Sequence, residues 1–196
     1  IRIISLSTNV SRTVRSGLNN PGRVSWSPDG EQLAVSAHWR YSTRFREGVN
    51  KALLISLGRV AAQDADDTAD ANQESTTKGG SVTYTPAFSG DVEELPEPVL
   101  QTNERWLDFS PHGSVGTRST DGPVWSPNGR LMAYVSTGVL WVIPVTPSGD
   151  PIGPPRRLTN ELPDDPTWAG DSESIVYLTT HRLRRVWPTD APVEAI

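Results

Sequence analysis

Short apolar runs separated by turn-forming residues make up most of this chain. The runs are rich in β-branched and aromatic residues and are bounded by Gly, Pro, Asn or Asp; examples are QLAVSA, KALLIS, LMAYVS, VLWVIPV and SIVYLTT. Runs of this kind are typical of β-strands, and the sequence lacks the apolar spacing of a long amphipathic helix. The pattern therefore predicts an all-β protein.

One phrase in this pattern occurs more than once. Its copies are VSWSPDGEQLAVS at Val24–Ser36, PVWSPNGRLMAYVS at Pro123–Ser136 and the diverged PTWAGDSESIVYLT at Pro166–Thr179. Trp168 follows Trp125 by 43 residues, and Trp125 follows Trp26 by 99. Because β-propeller blades of four short strands repeat every ~40–45 residues, the sequence predicts a partial propeller of about three four-stranded antiparallel blades.

The chemistry of a tight turn explains the repeated phrase. In the first copy, Pro28 has the φ angle that the second position of a type I turn needs, Asp29 can bond its own backbone, and Gly30 can adopt a positive φ. The flanking runs can then pair as a hairpin. The equivalent residues are Pro127, Asn128 and Gly129 in the second copy, and Gly170 and Asp171 in the third, which loses the proline and keeps an altered turn.

A tryptophan ends the run before each turn. Repeated units bury a face on their neighbours, so we expect Trp26, Trp125 and Trp168 to occupy equivalent blade positions and to fill the wedge between adjacent sheets. The alternative is that the three rings form an exposed aromatic platform for a ligand.

The repeat divides the chain into six segments. They are the last strands of a preceding blade (1–11), a blade (12–57), an acidic insertion (58–98), a blade (99–146), a blade (147–187) and the start of a linker to a following domain (188–196). Closed propellers have about four to eight blades. We therefore expect an incomplete ring within a longer protein.

The insertion differs from the rest in composition. From Ala61 to Pro98 it contains nine acidic residues and one basic residue, Lys78. Few apolar residues occur there, so burial cannot offset the entropy of ordering, which predicts a solvated loop. Docking of a basic partner on this loop is the alternative.

Whole-chain composition excludes several classes of protein. The 196 residues carry a formal charge of −5 and no cysteine. The acidic balance argues against a nucleic-acid partner, and the lack of cysteine excludes a disulfide framework and a cysteine-ligated zinc site. No apolar run approaches the ~18 residues of a membrane span, so no membrane span is expected.

The quoted phrases resemble a known repeat. The segments WSPDG…LAVS, WSPNG…MAYVS and RLTN before the third copy resemble the TolB-like, WD40-like (PD40) propeller repeat. More narrowly, YSTRFREGVNKALLISL, TRSTDGPVWSPNGRLMAYVSTGVLWVIPV and PPRRLTNELPDDPTWAGDSESIVYL resemble the N-terminal propeller of large bacterial metal-dependent amidohydrolases. This resemblance implies a downstream barrel that binds a divalent metal, zinc, and it favours an exported or periplasmic bacterial protein.

The residues predict no catalytic or metal site inside this chain. A His-x-His pair on one strand can share a metal ion, but His38, His112 and His181 are isolated. The Gly-x-Ser-x-Gly elbow of serine hydrolases is absent. The run DADDTAD at Asp64–Asp70 lacks the glycine and closing glutamate of a calcium loop. We expect no cofactor in this chain.

The segment WRYSTRFRE is the best candidate for a binding surface. It interleaves arginines with aromatic rings, and its candidate interface residues are Arg40, Tyr41, Arg44, Phe45, Arg46 and Glu47. Guanidinium groups beside rings can hold a carboxylate or stack, and connections between strands often carry binding surfaces. A long hairpin with a salt-bridged face is the alternative.

Three functions remain open at this point. The first, which we favour, is a non-catalytic propeller segment of an amidohydrolase-type enzyme, acting as scaffold, interface or substrate gate. The second is a TolB-type propeller of the periplasm that binds other proteins. The third is the propeller of a prolyl-oligopeptidase-like serine peptidase. The expected partner is an intramolecular catalytic domain or another protein, and a homo-oligomer is possible.

Overall fold

The computed structural model describes residues 1–42, 47–58, 94–95, 97–109, 115–116, 118 and 120–189, with the backbone alone at 40–42, 47–48 and 94–95. Within these ranges the regular elements are β-strands, and no helix occurs. Each of the four sheets that the strands form is antiparallel. The predicted all-β fold is therefore confirmed.

The first blade is a sheet with the strand order β3-β4-β5-β7, and β6 pairs with the far end of β4. These strands are β3 (Val24–Trp26), β4 (Gln32–Ser42), β5 (Glu47–Ser56), β6 (Glu94–Leu95) and β7 (Glu104–Leu107). The turn after Trp26 connects β3 to β4. The β4–β5 ladder continues beyond the rest of the sheet to Ser42 and Glu47 and contains a register shift at His38.

The second and third blades repeat this order from the inside outwards. The second is β8 (Val124–Trp125), β9 (Leu131–Ser136), β10 (Val139–Pro144) and β11 (Arg156–Arg157), in that order; the third is β12 (Asp164–Trp168), β13 (Ile175–Leu178) and β14 (Leu183–Val186). The described part of the third sheet thus contains three strands, and a separate hairpin precedes the first blade, formed by β1 (Arg2–Ile4) and β2 (Ser11–Thr13). Together they form a partial propeller of about three blades.

Strand pairing places two segments in a different sheet from the one that their position along the chain suggested. β7 pairs with β5 in the first sheet, although the sequence division put 99–146 in the second blade. β11 pairs with β10 in the second sheet, although it lies within 147–187. The division at residue 11 also cuts through β2. An outer strand is joined to its blade by ladder hydrogen bonds. The blade to which an outer strand belongs therefore depends on strand pairing, and its position along the sequence relative to the tryptophan does not decide it.

Apolar clusters hold the blades together face to face. Between the first and second blades lie Ala34, Ala52, Leu54, Leu107, Phe109, Val115, Trp125, Met132, Tyr134, Ile143 and Val145. Between the second and third lie Val124, Ala133, Val135, Leu140, Val142, Leu158, Trp168, Ile175, Tyr177 and Val186. Side chains alternate between the faces of a strand, so the second sheet, which contributes to both clusters, buries both of its faces. Tyr134 stacks on Phe109, and burial raises its pKa.

A third cluster covers one face of the first blade. Leu33, Val35, Leu53 and Ile55 on that face pack against Ile1 and Ile3 of the β1–β2 hairpin, together with Val14, Leu18, Leu57 and Trp106. The hairpin thus takes the place that a neighbouring blade takes elsewhere. In the described part of the chain, no helix is long and apolar enough to cross a membrane.

Candidate functional site

The repeated phrase forms the same side-chain-locked turn in its first two copies. The Ser27 hydroxyl donates to the Asp29 carboxylate (2.5 Å) and accepts from the Gln32 amide (2.9 Å), while the Gly30 amide donates to the Ser27 carbonyl (2.9 Å). Hydrogen bonds from Ser27 and from the Glu31 amide lower the pKa of Asp29. In the second copy Ser126, Asn128, Gly129 and Leu131 make the equivalent bonds. The serine that precedes each proline is thus part of the turn.

The third copy keeps this turn with a different residue at the strained position. Ser172 has a φ of +63°, close to +73° at Gly30 and +72° at Gly129. The Glu173 amide donates to Asp171 at 2.9 Å, as Glu31 does to Asp29 at 3.0 Å. Gly170 therefore occupies the position of Pro28 and Pro127. Ser172 adopts the left-handed conformation, which costs glycine less than other residues.

The three turns lie side by side at one end of the stacked sheets. The Asn128 amide donates to the Ser172 hydroxyl at 3.0 Å, which joins the second turn to the third. A methyl group added at Gly129 would lie 3.5 Å from the Pro28 ring, which places the first turn against the second. These turns therefore form one continuous rim.

Arginines join the opposite ends of the inner strands. Arg23, just before β3, binds the Asp165 carboxylate at 2.7 Å and the Pro166 carbonyl at 3.2 Å, which links the first blade directly to the third. Arg118 forms an ion pair with Asp121 at 2.7 Å, and the hydrogen bond that its Nε donates to the same carboxylate at 3.1 Å raises the pKa of the guanidinium. The inner strands thus converge, as the strands around a propeller axis do.

The tryptophans occupy equivalent strand positions but not equivalent environments. Trp125 and Trp168 are 5% and 8% exposed and lie in the two interblade clusters. The indole N–H of Trp168 donates to the Val124 carbonyl of the preceding blade at 3.0 Å. Trp26 ends β3 in the same way, yet it is 49% exposed. The wedge prediction therefore holds for two rings, and the environment predicted for Trp26 is wrong.

The candidate interface residues belong to an extended arm of the first blade. Arg40 and Tyr41 lie on β4 and Glu47 on β5, paired across the ladder with Val49, Gly48 and Ser42, respectively. Arg44, Phe45 and Arg46 lie outside the described residues. The backbone of Tyr41 and Ser42 also pairs with β6, which lies near the end of the acidic insertion. The arm is therefore a long hairpin, and its role as an interface stays a prediction.

Side chains at the base of this arm make a polar contact network. The Lys51 ammonium lies 4.1 Å from the centre of the Trp39 ring and 3.7 Å from an Asp108 carboxylate oxygen. The Trp39 indole N–H donates to Glu97, at the end of the insertion. A cation held over an aromatic face fits the arginine–aromatic composition of the segment. The sequence indicated the rings but not Lys51, which lies twelve positions along the chain and faces them only through strand pairing.

The described residues hold no cluster suited to a metal ion. No group of three or more His, Asp or Glu side chains lies together in these ranges. His38 bonds Asn50, and His181 is exposed. His112 and the Asp64–Asp70 run lie outside the described residues, as does most of the insertion. The surface features of the described residues are exposed apolar side chains, the rim of turns and the polar base of the arm.

Comparison with known proteins supports the fold. Neither a family model nor a curated protein matches this chain. A solved structure of an Agrobacterium tumefaciens protein assigned as TolB is similar, with a TM-score of 0.53 and 16% sequence identity, over 94% of this chain and 47% of that one. At such identity the likeness shows the fold alone. The chain has a TolB-like β-propeller fold and spans about half the length of that structure.

Proposed function

We propose that this chain is a non-catalytic β-propeller segment of a larger amidohydrolase-type hydrolase, in which it acts as scaffold, as interface or as a gate for substrate. The observation that carries the proposal is that the stack of blades exposes apolar side chains on both of its outer sides. Val24 and Trp26 are 40% and 49% exposed on the first blade, and Leu178 and Leu183 are 46% and 68% exposed on the third.

Those exposed faces favour association with protein. Isolated apolar residues are normal on a surface, but contiguous apolar faces between polar rims mark interaction sites. Leu178 and Leu183 are direct cross-strand partners, and Val24 and Trp26 are alternate residues of one strand, so each pair forms a single patch. The sequence resemblance described above, over Tyr41–Leu57, Thr117–Val145 and residues 154–178, supports the proposal that the segment belongs to such an enzyme.

The first test is the coding sequence on both sides of these 196 residues, followed by the metal content of the full-length product. We expect a downstream barrel with a His-x-His pair, and a divalent metal that the longer protein holds and the 196-residue chain lacks. Substitution of the downstream pair should remove the metal, whereas the matched changes His38→Ala and His181→Ala should not.

The outcomes separate the candidate functions. A continuation with only further propeller repeats, or none, overturns the hydrolase assignment. A downstream domain with a Gly-x-Ser-x-Gly elbow would instead assign a serine peptidase. Metal that is retained by the 196-residue chain and lost with His38→Ala would contradict the non-catalytic role.

A TolB-type protein-binding propeller is the second candidate, favoured by the fold likeness and by the arm that extends from the first blade. It predicts that crosslinking through the arm captures a separate protein. The base of the arm offers a matched pair of variants, because Lys51→Ala removes the cation beside Trp39, whereas Lys51→Arg keeps it. Capture by the Arg variant alone would support this candidate, and equal capture by both would contradict it.

A further inference from the structure

The two interblade contacts in this chain show how a blade covers the tryptophan of the next. Trp125 lies in one cluster with Ala34, Ala52 and Leu54 of the first blade. Trp168 lies in one cluster with Val124 and Ala133 of the second blade. Trp125 is thus grouped with residues of the second and third strands of the preceding blade, and Trp168 with residues of its first and second strands. Each ring is therefore buried against the preceding blade.

Trp26 has the register of these residues but lacks their cover. It pairs with Leu33 as Trp125 pairs with Met132 and Trp168 with Ile175. The ring therefore faces the side of the first blade that turns away from the second. Two positions earlier, Val24 is 40% exposed, whereas its equivalents, Pro123 and Pro166, are buried. The exposure is thus confined to the inner strand of this face, which we name the Trp26 face (Val24 and Trp26).

The rest of the same sheet face is already covered by the β1–β2 hairpin and the residues that flank it. Ile1 and Ile3 pack against the cluster that contains Leu33 and Val35 of β4 and Leu53 and Ile55 of β5. Arg15, just after β2, forms an ion pair with Glu104 on the outermost strand at 3.3 Å. The hairpin and the residues that flank it therefore cover β4, β5 and β7, and they leave Val24 and Trp26 of β3 exposed.

One edge of this hairpin is open among the described residues. β1 pairs with β2 alone, and the Ile1 carbonyl and the Ser5 amide bond residues on the β2 side. Backbone groups alternate between the two edges of a strand, so those of Arg2 and Ile4 point to the other edge. Leu140 of β10 has the same orientation as Ile1, because its carbonyl accepts from Leu158 on the outer side. β1 thus corresponds to the third strand of a blade, and among the described residues no second strand pairs with it.

We propose that the Trp26 face and the open edge of β1 together bind a β-hairpin of the same repeat type, which completes a further blade. Its second strand pairs with Arg2 and Ile4, and its first strand lies beside β3 and presents small or β-branched side chains to Trp26. This occupant follows from the β8–β9 hairpin, whose Val124 and Ala133 perform that role for Trp168. The inference deepens the proposed function, on which it rests, by naming the element that the exposed face binds.

The test supplies such a hairpin to the 196-residue chain. A second copy of residues 121–139 is fused directly before Ile1, which puts Ile1 at the place that Leu140 has after β8 and β9. The chain contains no cysteine, so Val24→Cys gives a single thiol on the Trp26 face. We expect the fusion to slow labelling of this thiol about tenfold, because thiol reactivity follows exposure.

Two controls make the result specific. Leu178→Cys places the thiol on the third blade, at a similarly exposed site, and its labelling should change less than about twofold. A second fusion carries Val124→Asp and Ala133→Asp within the added copy only, which would put carboxylates against Trp26. It should leave Val24→Cys as reactive as in the unfused chain, because an unpaired charge is costly to bury.

Each outcome decides the matter. Unchanged labelling of Val24→Cys in the first fusion, with the β-sheet circular dichroism retained, overturns the proposal; equal protection by both fusions does so too. Should the unfused chain sediment as a dimer and protect Val24→Cys as its concentration rises, a second copy is the occupant and the proposal is wrong. None of these results depends on a downstream hydrolase domain, so the proposed function can fail or stand separately.

Discussion

Trp26 and Trp125 end equivalent strands, precede the same turn and pair in the same register, yet one ring is 49% exposed and the other 5%. Their surroundings differ because Trp125 lies against the first blade, whereas Trp26 lies on β3, which the cluster under the β1–β2 hairpin leaves exposed. The comparison teaches that the repeat determines where a side chain is placed and in which direction it points, while the adjacent blade determines whether it is buried.

The largest expected effect of this difference is on stability. Trp125→Ala should lower the free energy of unfolding by about 3–5 kcal/mol, because it removes a large buried ring and leaves a cavity. Trp26→Ala should cost about 1 kcal/mol, since half of the ring already contacts solvent. Urea denaturation followed by circular dichroism measures both values. Equal losses would show that Trp26 is covered in solution and that the contrast is absent.

A smaller effect should appear where the backbone approaches the buried ring. Gly149 has a φ of +84°, and a methyl group added there would lie 2.9 Å from Trp125 and 3.1 Å from Leu54. Gly149→Ala should therefore cost about 1–3 kcal/mol through overpacking and backbone strain.

Gly170 provides the matched control for this substitution. No heavy atom lies within 4 Å of a methyl group built there, and its φ is outside the left-handed region. Gly170→Ala should stay within about 0.5 kcal/mol of the parent. A neutral Gly149→Ala in the same thermal unfolding experiment would contradict the tight contact at Trp125.

The smallest effect should come from the turns, which the first two blades share. The Ser27 and Glu31 hydrogen bonds hold the pKa of Asp29 below its ordinary value of 3.8. A carboxyl group with a lowered folded pKa adds stability above its unfolded pKa and loses it as the pH falls through the folded pKa. Asp29→Asn should therefore flatten the acid side of the stability profile slightly, below about pH 4.

The second turn supplies the reciprocal experiment, since Asn128 makes the equivalent contacts without a titratable group. Asn128→Asp should add a small loss of stability in the same acid range. Urea midpoints between about pH 2 and pH 6 measure both changes. Parallel profiles for the parent and Asp29→Asn would show that this carboxylate does not contribute.

The fold was predictable because each copy of the repeat contains the residues that form a turn and two flanking strands. The spacing of the tryptophans, the Ser-Pro-Asp-Gly turn and the alternating apolar runs predicted strands, hairpins and blades before any coordinate was known. Even the third turn, which has no proline, follows the pattern because Ser172 adopts the conformation of Gly30. The assignment of outer strands was less predictable, because β7 and β11 are separated along the chain from β5 and β10, the strands with which they pair.

The candidate interaction surfaces were predictable only in part. Aromatic and basic residues indicated the arm, but the contact of Lys51 with Trp39 depends on cross-strand pairing. The contact of Arg23 with Asp165 joins residues 142 positions apart, and nothing in either local sequence indicates it. Such pairs form because the inner strands of different blades converge near one axis.

Local chemistry along the chain determined the strands, the turns and the outward or inward direction of each side chain, since these depend on neighbours a few residues away. The three-dimensional arrangement decided which apolar faces are buried, which strand belongs to which blade, and that Trp26 and Leu183 remain exposed. Burial is a property of the whole stack, because a sheet face is removed from water only when another sheet lies against it.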